Sequence, residues 1–222
     1  MTPRPRLLLA TTSPAKQAEL RQILAGLPLT LVTPGQLGLA LEVEETGETF
    51  AANAILKAEA FAHASGLAAL ADDSGLEIDA LGGAPGVRSH RYAGPQATDA
   101  DRIALVLRKL EGVPDEARTA RFRCVMALAT RQGVLGTVEG ICEGRIARQP
   151  RGEGGFGYDP IFFLPDRGRT MAELLPKEKH AVSHRGRAGR AAYSLIEAWL
   201  AGGERAPLQV APSASRAQGD TA

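Results

Sequence analysis

Apolar residues along the chain fall into short unbroken runs separated by longer stretches in which they recur every three or four positions. Runs of the first kind predict buried strands, and the second spacing predicts helices with one apolar face. Leu7-Leu8-Leu9-Ala10 predicts a first strand. A polar loop follows, then a helix with its stripe at Leu20, Ile23, Leu24 and Leu27, for which Ser13 is a suitable N-cap and Pro14 a suitable first residue. Residues 29–33 return as a strand, giving a β-α-β start. A second helix is expected over about 48–64, stopped by Gly66, and it leads into the run Leu67-Ala68-Ala69-Leu70. Thr98 caps a helix facing inward through Ile103, Val106, Leu107 and Leu110, ended by Gly112 and Pro114. Residues 121–128 partly alternate, and Gln132-Gly133 separates them from another extended run, which predicts antiparallel strands. A last helix over about 184–200 turns Ala188, Ala192, Leu195, Ile196 and Trp199 inward. The class is α/β, with a mixed sheet flanked by helices.

Composition narrows this picture without redirecting it. A chain of 222 residues with 44% hydrophobic content suits one substantial core, expected over residues 1–203, with 204–222 as a disordered tail. There is no internal repeat. Twenty-six basic against 25 acidic residues give a net charge of +1, so nothing draws the whole protein to nucleic acid or a membrane surface. Cys124 and Cys142 lie in strand-like segments without metal or disulfide spacing and read as reduced core thiols. The apolar run after Arg6 is too short for a signal sequence or a membrane span, which points to the cytoplasm.

Candidate chemistry lies in the polar breaks. Ala71-Asp72-Asp73-Ser74-Gly75 puts two adjacent carboxylates at what reads as the end of a strand, just before a glycine turn. Neighbouring acids repel unless a cation, a proton or a hydrogen-bond donor compensates them, so the pair suits a divalent metal or acid/base chemistry. The same residues also suit a plain turn. Glu42-Val43-Glu44-Glu45 lies upstream as a source of a further ligand. Thr11, Thr12, Ser13, Pro14, Ala15 and Lys16 offer hydroxyls, helix-start amides and a lysine to a phosphate, although the glycines of a Walker loop are missing. Residues 152–157 spell GxGxxG but follow Pro150 and precede Tyr158-Asp159-Pro160 and a strand-like run, the wrong context for a dinucleotide fingerprint. Phe156 and Tyr158 there suit a flat ring, with Asp159 at its edge. Lys177, Lys179, His180, His184 and Arg185 cluster donors at the start of the last helix. An arginine only donates, so Arg185 favours a 6-oxo purine over adenine's 6-amino group. Ser74 has no nucleophile-elbow context.

In combination these segments resemble the inosine/xanthosine triphosphate pyrophosphatase family over about residues 7–200. The resemblance is carried by Glu44-Glu45-Thr46-Gly47, Asn53-Ala54-Ile55-Leu56-Lys57-Ala58, Ala71-Asp72-Asp73-Ser74-Gly75 and Leu81-Gly82-Gly83-Ala84-Pro85-Gly86. It continues through Gly154-Gly155-Phe156-Gly157-Tyr158-Asp159-Pro160 and Ser183-His184-Arg185-Gly186. It implies two lobes about a cleft, a homodimer, and hydrolysis of ITP, XTP and dITP to the monophosphate and pyrophosphate. It further implies Mg²⁺ held by Glu44 and Asp73, with Asp73 also the base, and a triphosphate held by residues 11–16. Lys57 and Ser74 would touch the nucleotide, and Phe156, Gly157, Tyr158, Asp159, Lys179, His184 and Arg185 would enclose the purine. Ser13 departs from the family's usual T-x-N-x-x-K. A pyrophosphatase of other base specificity and a non-hydrolytic nucleotide-binding regulator are the alternatives.

Overall fold

The computed structural model describes residues 4–202, so the predicted tail lies outside the described residues. The elements are β1 (Arg6–Leu9), α1 (Pro14–Ile23), β2 (Thr30–Val32), α2 (Phe50–Ser65), β3 (Ala68–Ile78) and α3 (Asp99–Lys109). They continue with β4 (Thr119–Thr130), β5 (Gly133–Ile146), β6 (Phe162–Leu164), β7 (Arg169–Thr170), α4 (Pro176–Val182) and α5 (His184–Gly202). The local signals act as the sequence indicates. Ser13 Oγ accepts from the Lys16 amide at 3.4 Å, Thr49 caps α2, Gly66 ends it at φ 71°, and Thr98 and Asp101 form a capping box on α3.

The strands form one seven-stranded mixed sheet in the order β2-β1-β3-β4-β5-β6-β7, parallel among β1, β2 and β3 and antiparallel beyond. Alternate residues serve opposite faces. Leu7, Leu9, Ala68, Leu70, Cys124 and Met126 pack beneath α1 and α5, whereas Leu8, Ala10, Ala69, Ala71, Val125 and Ala127 pack against α2. A third apolar cluster joins Ile103 and Val106 of α3 and its C-cap Leu110 to Phe122, Tyr158, Ile161 and Phe162.

Two sequence expectations change. The acidic pair stands near the middle of an eleven-residue strand, not at its end, because β4 pairs with β3 from Ala69↔Ala129 to Ile78↔Ala120. Gly75, read as a turn, lies inside that strand, where a Cβ would collide with the Gly86 carbonyl and the Ser89 hydroxyl. The basic cluster is also divided. Lys179 and His180 belong to the short α4, and Ser183 breaks the path and caps α5 by accepting from Gly186 N at 3.1 Å. β1 pairs with β3 only as far as Leu9↔Leu70. Past that point β3 has an edge that β1 leaves open, and the cleft lies there.

Candidate active site

The pleat resolves the repulsion within the acidic pair. Asp72 shares the α1/α5 face with Leu70, and Asp73 shares the α2 face with Ala71, so the carboxylates diverge into separate sets of cations.

On the first face, Asp72 Oδ2 accepts from Lys16 Nζ at 3.0 Å and from Arg185 Nη2 and Nε at 3.1 and 3.3 Å. Burial alone would raise its pKa, but Lys16 and Arg185 hold the carboxyl well below the usual range. Arg185 also donates through Nη1 to Glu19 Oε2 at 2.8 Å and through Nη2 to Ser74 Oγ at 2.8 Å. Arg185 arrives there because α5 lies directly on β5 at Gly140, where any Cβ would strike the His184 carbonyl and the Ala188 amide.

Glu19 receives a second cation. Lys179 Nζ lies 2.7 Å from Glu19 Oε1 and 2.6 Å from Asp159 Oδ2, and the latter oxygen also accepts from Phe156 N at 2.9 Å. Glu19 stays ionised because Arg185 and Lys179 overcome its desolvation. The pKa of Asp159 is raised by burial, with Lys179 opposing. The Phe156 ring faces both cations, 4.8 Å from Lys179 Nζ and 5.4 Å from the Arg185 guanidinium carbon. Of the three Lys179 N–H donors two are engaged, and of the five on Arg185 four are, so each retains one uncommitted donor among the described residues. His184 stacks on Phe122 with centroids 4.6 Å apart, and burial followed by the Arg185 charge depresses its pKa well below 6.5. It is therefore a neutral imidazole, with Nδ1 unpartnered.

On the second face, Asn53 and Lys57 are one helical turn apart on α2 and both reach Asp73. Asn53 Nδ2 donates to Oδ2 at 3.2 Å and Lys57 Nζ to Oδ1 at 3.1 Å. Lys57 also binds Glu45 Oε1 at 2.6 Å. Desolvation raises the pKa of Asp73; Lys57 opposes this and Glu45 reinforces it. Lys57 stays protonated because Asp73, Asp72 and Glu45 outweigh its own burial. The result is a carboxylate of raised basicity beside a fixed cation.

These groups line a cleft of about 620 Å³ that takes in Thr11, Thr12, Ser13, Ala15, Lys16, Lys57, Asp73, Ser74, Phe156, Gly157, Tyr158, Asp159, Lys179, His184 and Arg185. Pro14 and Glu44 are not in that lining. Pro14 serves as the first residue of α1. Glu44 is exposed, and Glu45 is the glutamate turned toward Lys57. Sequence reasoning missed Glu19, Asn53 and Phe122, and within the acidic run that ends at Glu45 it singled out Glu44 instead. The i, i+4 spacing of Asn53 and Lys57 is the one signal that could have marked a shared face; nothing local pairs Glu19 with residues 160 or more positions away.

The model of the Ham1 family matches residues 7–195. A dITP/XTP pyrophosphatase of Desulforamulus reducens is 50% identical over 191 residues, covering 86% of this chain and 95% of that protein. The dITP/XTP pyrophosphatase of Bacillus subtilis is 49% identical over 191 residues, covering 86% and 96%. Among solved structures, a HAM1 protein from Coxiella burnetii superposes with a TM-score of 0.79 at 47% identity, covering 87% of this chain and 98% of that one. With agreement on this scale in sequence and in fold, the chain belongs to the Ham1 family.

Proposed function

We propose that the protein hydrolyses ITP, XTP and dITP to the nucleoside monophosphate and pyrophosphate. The observation that carries this reading is the pair of uncommitted donors on Lys179 and Arg185 beside the Phe156 ring. A 6-oxo purine stacked there offers acceptors to those donors. Adenine presents its 6-amino group, which leaves buried donors facing a donor. The names carried by relatives about 50% identical over most of their length support the same substrate class.

In this reading the α1 amides, Thr11, Thr12, Ser13 and Lys16 receive the triphosphate, with Ser74 and Lys57 touching the nucleotide. A water attacks the α-phosphorus as Asp73 accepts its proton. The new bond joins water oxygen to phosphorus, and the bond to the bridging oxygen breaks with its electron pair leaving on pyrophosphate. Lys57 and Lys16 stabilise the charge that builds on the phosphates.

A divalent cation fits the donor set, since Asp73, Glu44 and Glu45 are hard oxygen donors and Asp73 and Glu45 both line the cleft. Among the described residues no three His, Cys, Asp or Glu side chains cluster as a metal cage. When bound, Mg²⁺ would supply positive charge to the triphosphate and the departing pyrophosphate. The proposal includes a cytoplasmic homodimer. The location is supported by two buried free thiols.

The test is pyrophosphate release from ITP, XTP, dITP, GTP and ATP, each with and without Mg²⁺. Preference for the three deaminated purines is expected, and preference for ATP overturns the proposal.

A further inference from the structure

We infer that Asp99 is a positioning residue that holds the base-binding loop in place, an inference that rests on the nucleotide reading proposed above. Asp99 is the first residue of α3, where a carboxylate is ordinarily explained by the helix dipole. Here the capping duty is already met by Thr98 and Asp101, whose side chains and amides satisfy each other. The Asp99 carboxylate turns elsewhere. Its Oδ2 accepts from the amide of Gly157, 58 residues later, at 2.7 Å, and its Oδ1 accepts from Arg102.

Arg102 fixes the direction of that carboxylate. Its Nη1 donates to the His90 and Ala97 carbonyls at 2.9 and 2.6 Å, so the guanidinium is tied down on three sides and buried. Behind it, Ile103, Val106 and Leu110 anchor α3 in the cluster that also contains Tyr158 and Phe162. The next loop residue has its own tether, since Tyr158 Oη donates to the Ser89 carbonyl at 2.9 Å.

The loop needs such fastening. Residues 152–157 contain four glycines, and Gly157 itself sits at φ 63°, so the backbone has little intrinsic stiffness. Phe156, which faces Lys179 and Arg185, is directly joined to the tethered amide. The phosphate-facing groups, Lys16, Lys57 and Asp73, stand on other elements. Releasing Gly157 therefore loosens the wall against the base and leaves the phosphate side untouched.

The experiment compares the wild type with Asp99→Ala and Asp99→Ser by calorimetric titration of ITP and, separately, of inorganic tripolyphosphate, which has no base. Steady-state kinetics on ITP accompany the titrations. Loss of one charge-assisted hydrogen bond should weaken ITP binding and raise KM about ten-fold, equivalent to about 1.4 kcal/mol. Binding of tripolyphosphate and kcat should stay within about two-fold. Asp99→Asn, which keeps an acceptor for Gly157, should restore most of the ITP affinity. Unchanged ITP affinity in Asp99→Ala and Asp99→Ser overturns the inference, as does a parallel weakening of tripolyphosphate or no rescue by Asn. A wild type that binds ITP without hydrolysing it defeats the proposed reaction, while the ten-fold binding difference would still uphold the role of Asp99.

Discussion

Asp72→Asn should cost more stability than the same change at its neighbour Asp73. Asp72 is buried, with 1% of its side chain exposed, and it neutralises Arg185 and Lys16, whose side chains are 2% and 20% exposed. Asparagine preserves shape but leaves both cations uncompensated. Breaking a buried pair on one side typically costs about 3–5 kcal/mol. Arg185 retains Glu19 at 2.8 Å and Lys16 has some access to water, which places the expectation near the lower limit, about 3 kcal/mol. With a urea m-value of about 3 kcal/mol/M for a chain of this size, the midpoint should fall by about 1 M at unchanged m. Burial raises the Asp73 pKa, which offsets part of what its charge contributes, and Lys57 would keep Glu45 at 2.6 Å after the change, so Asp73→Asn should lower the midpoint less than Asp72→Asn does. The pH dependence follows. The depressed Asp72 pKa contributes stability that is full above about 3.8 and is lost as pH falls toward the folded value. Equilibrium unfolding in urea at pH 7 decides the matter. A loss below about 1 kcal/mol in Asp72→Asn, or an equal loss in Asp73→Asn, would refute the division of the pair between faces.

Asp73→Asn should lower kcat for ITP by about 10²- to 10⁴-fold, the range for a general base, with ITP affinity little changed; an active variant removes Asp73 from that role. Burial raises the Asp73 pKa in the metal-free protein, so in an NMR titration without Mg²⁺ its carboxyl should titrate above the ordinary carboxylate range, and titration at or below that range would contradict this environment. The folded pKa of His184 is depressed, so its contribution to stability is complete above about 6.5 and is lost as pH falls and the unfolded imidazole takes up a proton. The urea midpoint of the wild type should therefore fall between about pH 7.5 and 5.5, and His184→Asn should make that fall smaller; an unchanged pH dependence in the variant would contradict the buried neutral imidazole. Glu44→Ala should raise the Mg²⁺ concentration needed for half-maximal activity more than Glu45→Ala does, since Lys57 already engages Glu45 at 2.6 Å. A Mg²⁺ titration giving the reverse order would assign the ion to Glu45.

The helices and most strands were legible because their determinants are local. Ser13 with Pro14, Thr49 and Thr98 are start signals readable from the chain, and the apolar runs have strand length. The middle of β3 was not, because Asp-Asp-Ser-Gly is poor strand sequence by propensity. A ten-pair ladder with β4 and the close approach of Gly86 and Ser89 override it. The candidate site was readable through family-like blocks, but its wiring was not. Glu19 shows locally as one more polar residue on α1, and its meaning comes from Lys179 and Arg185, delivered from α4 and α5. Glu44 and Glu45 are indistinguishable in the string Glu-Glu-Thr-Gly, and only the path of the segment past Lys57 separates them.

The position of the acidic pair within a strand has a mechanical consequence. Because residues 72 and 74 face α5 and residue 73 faces α2, Arg185, proposed to read the base, and Lys57, proposed to face the phosphates, are referenced to the same three peptide units. The ten-pair ladder with β4 fixes the register: a one-residue slip would turn Asp73 toward Cys124, Met126 and Arg185 and carry Asp72, together with Leu70, to the α2 face. In the proposed reaction, base recognition and water activation would thus share one backbone reference, the β3 strand. On this argument, substitutions that weaken the β3–β4 ladder near Asp73↔Val125 should raise KM and lower kcat together. Substitutions confined to the Phe156 loop should act on KM alone.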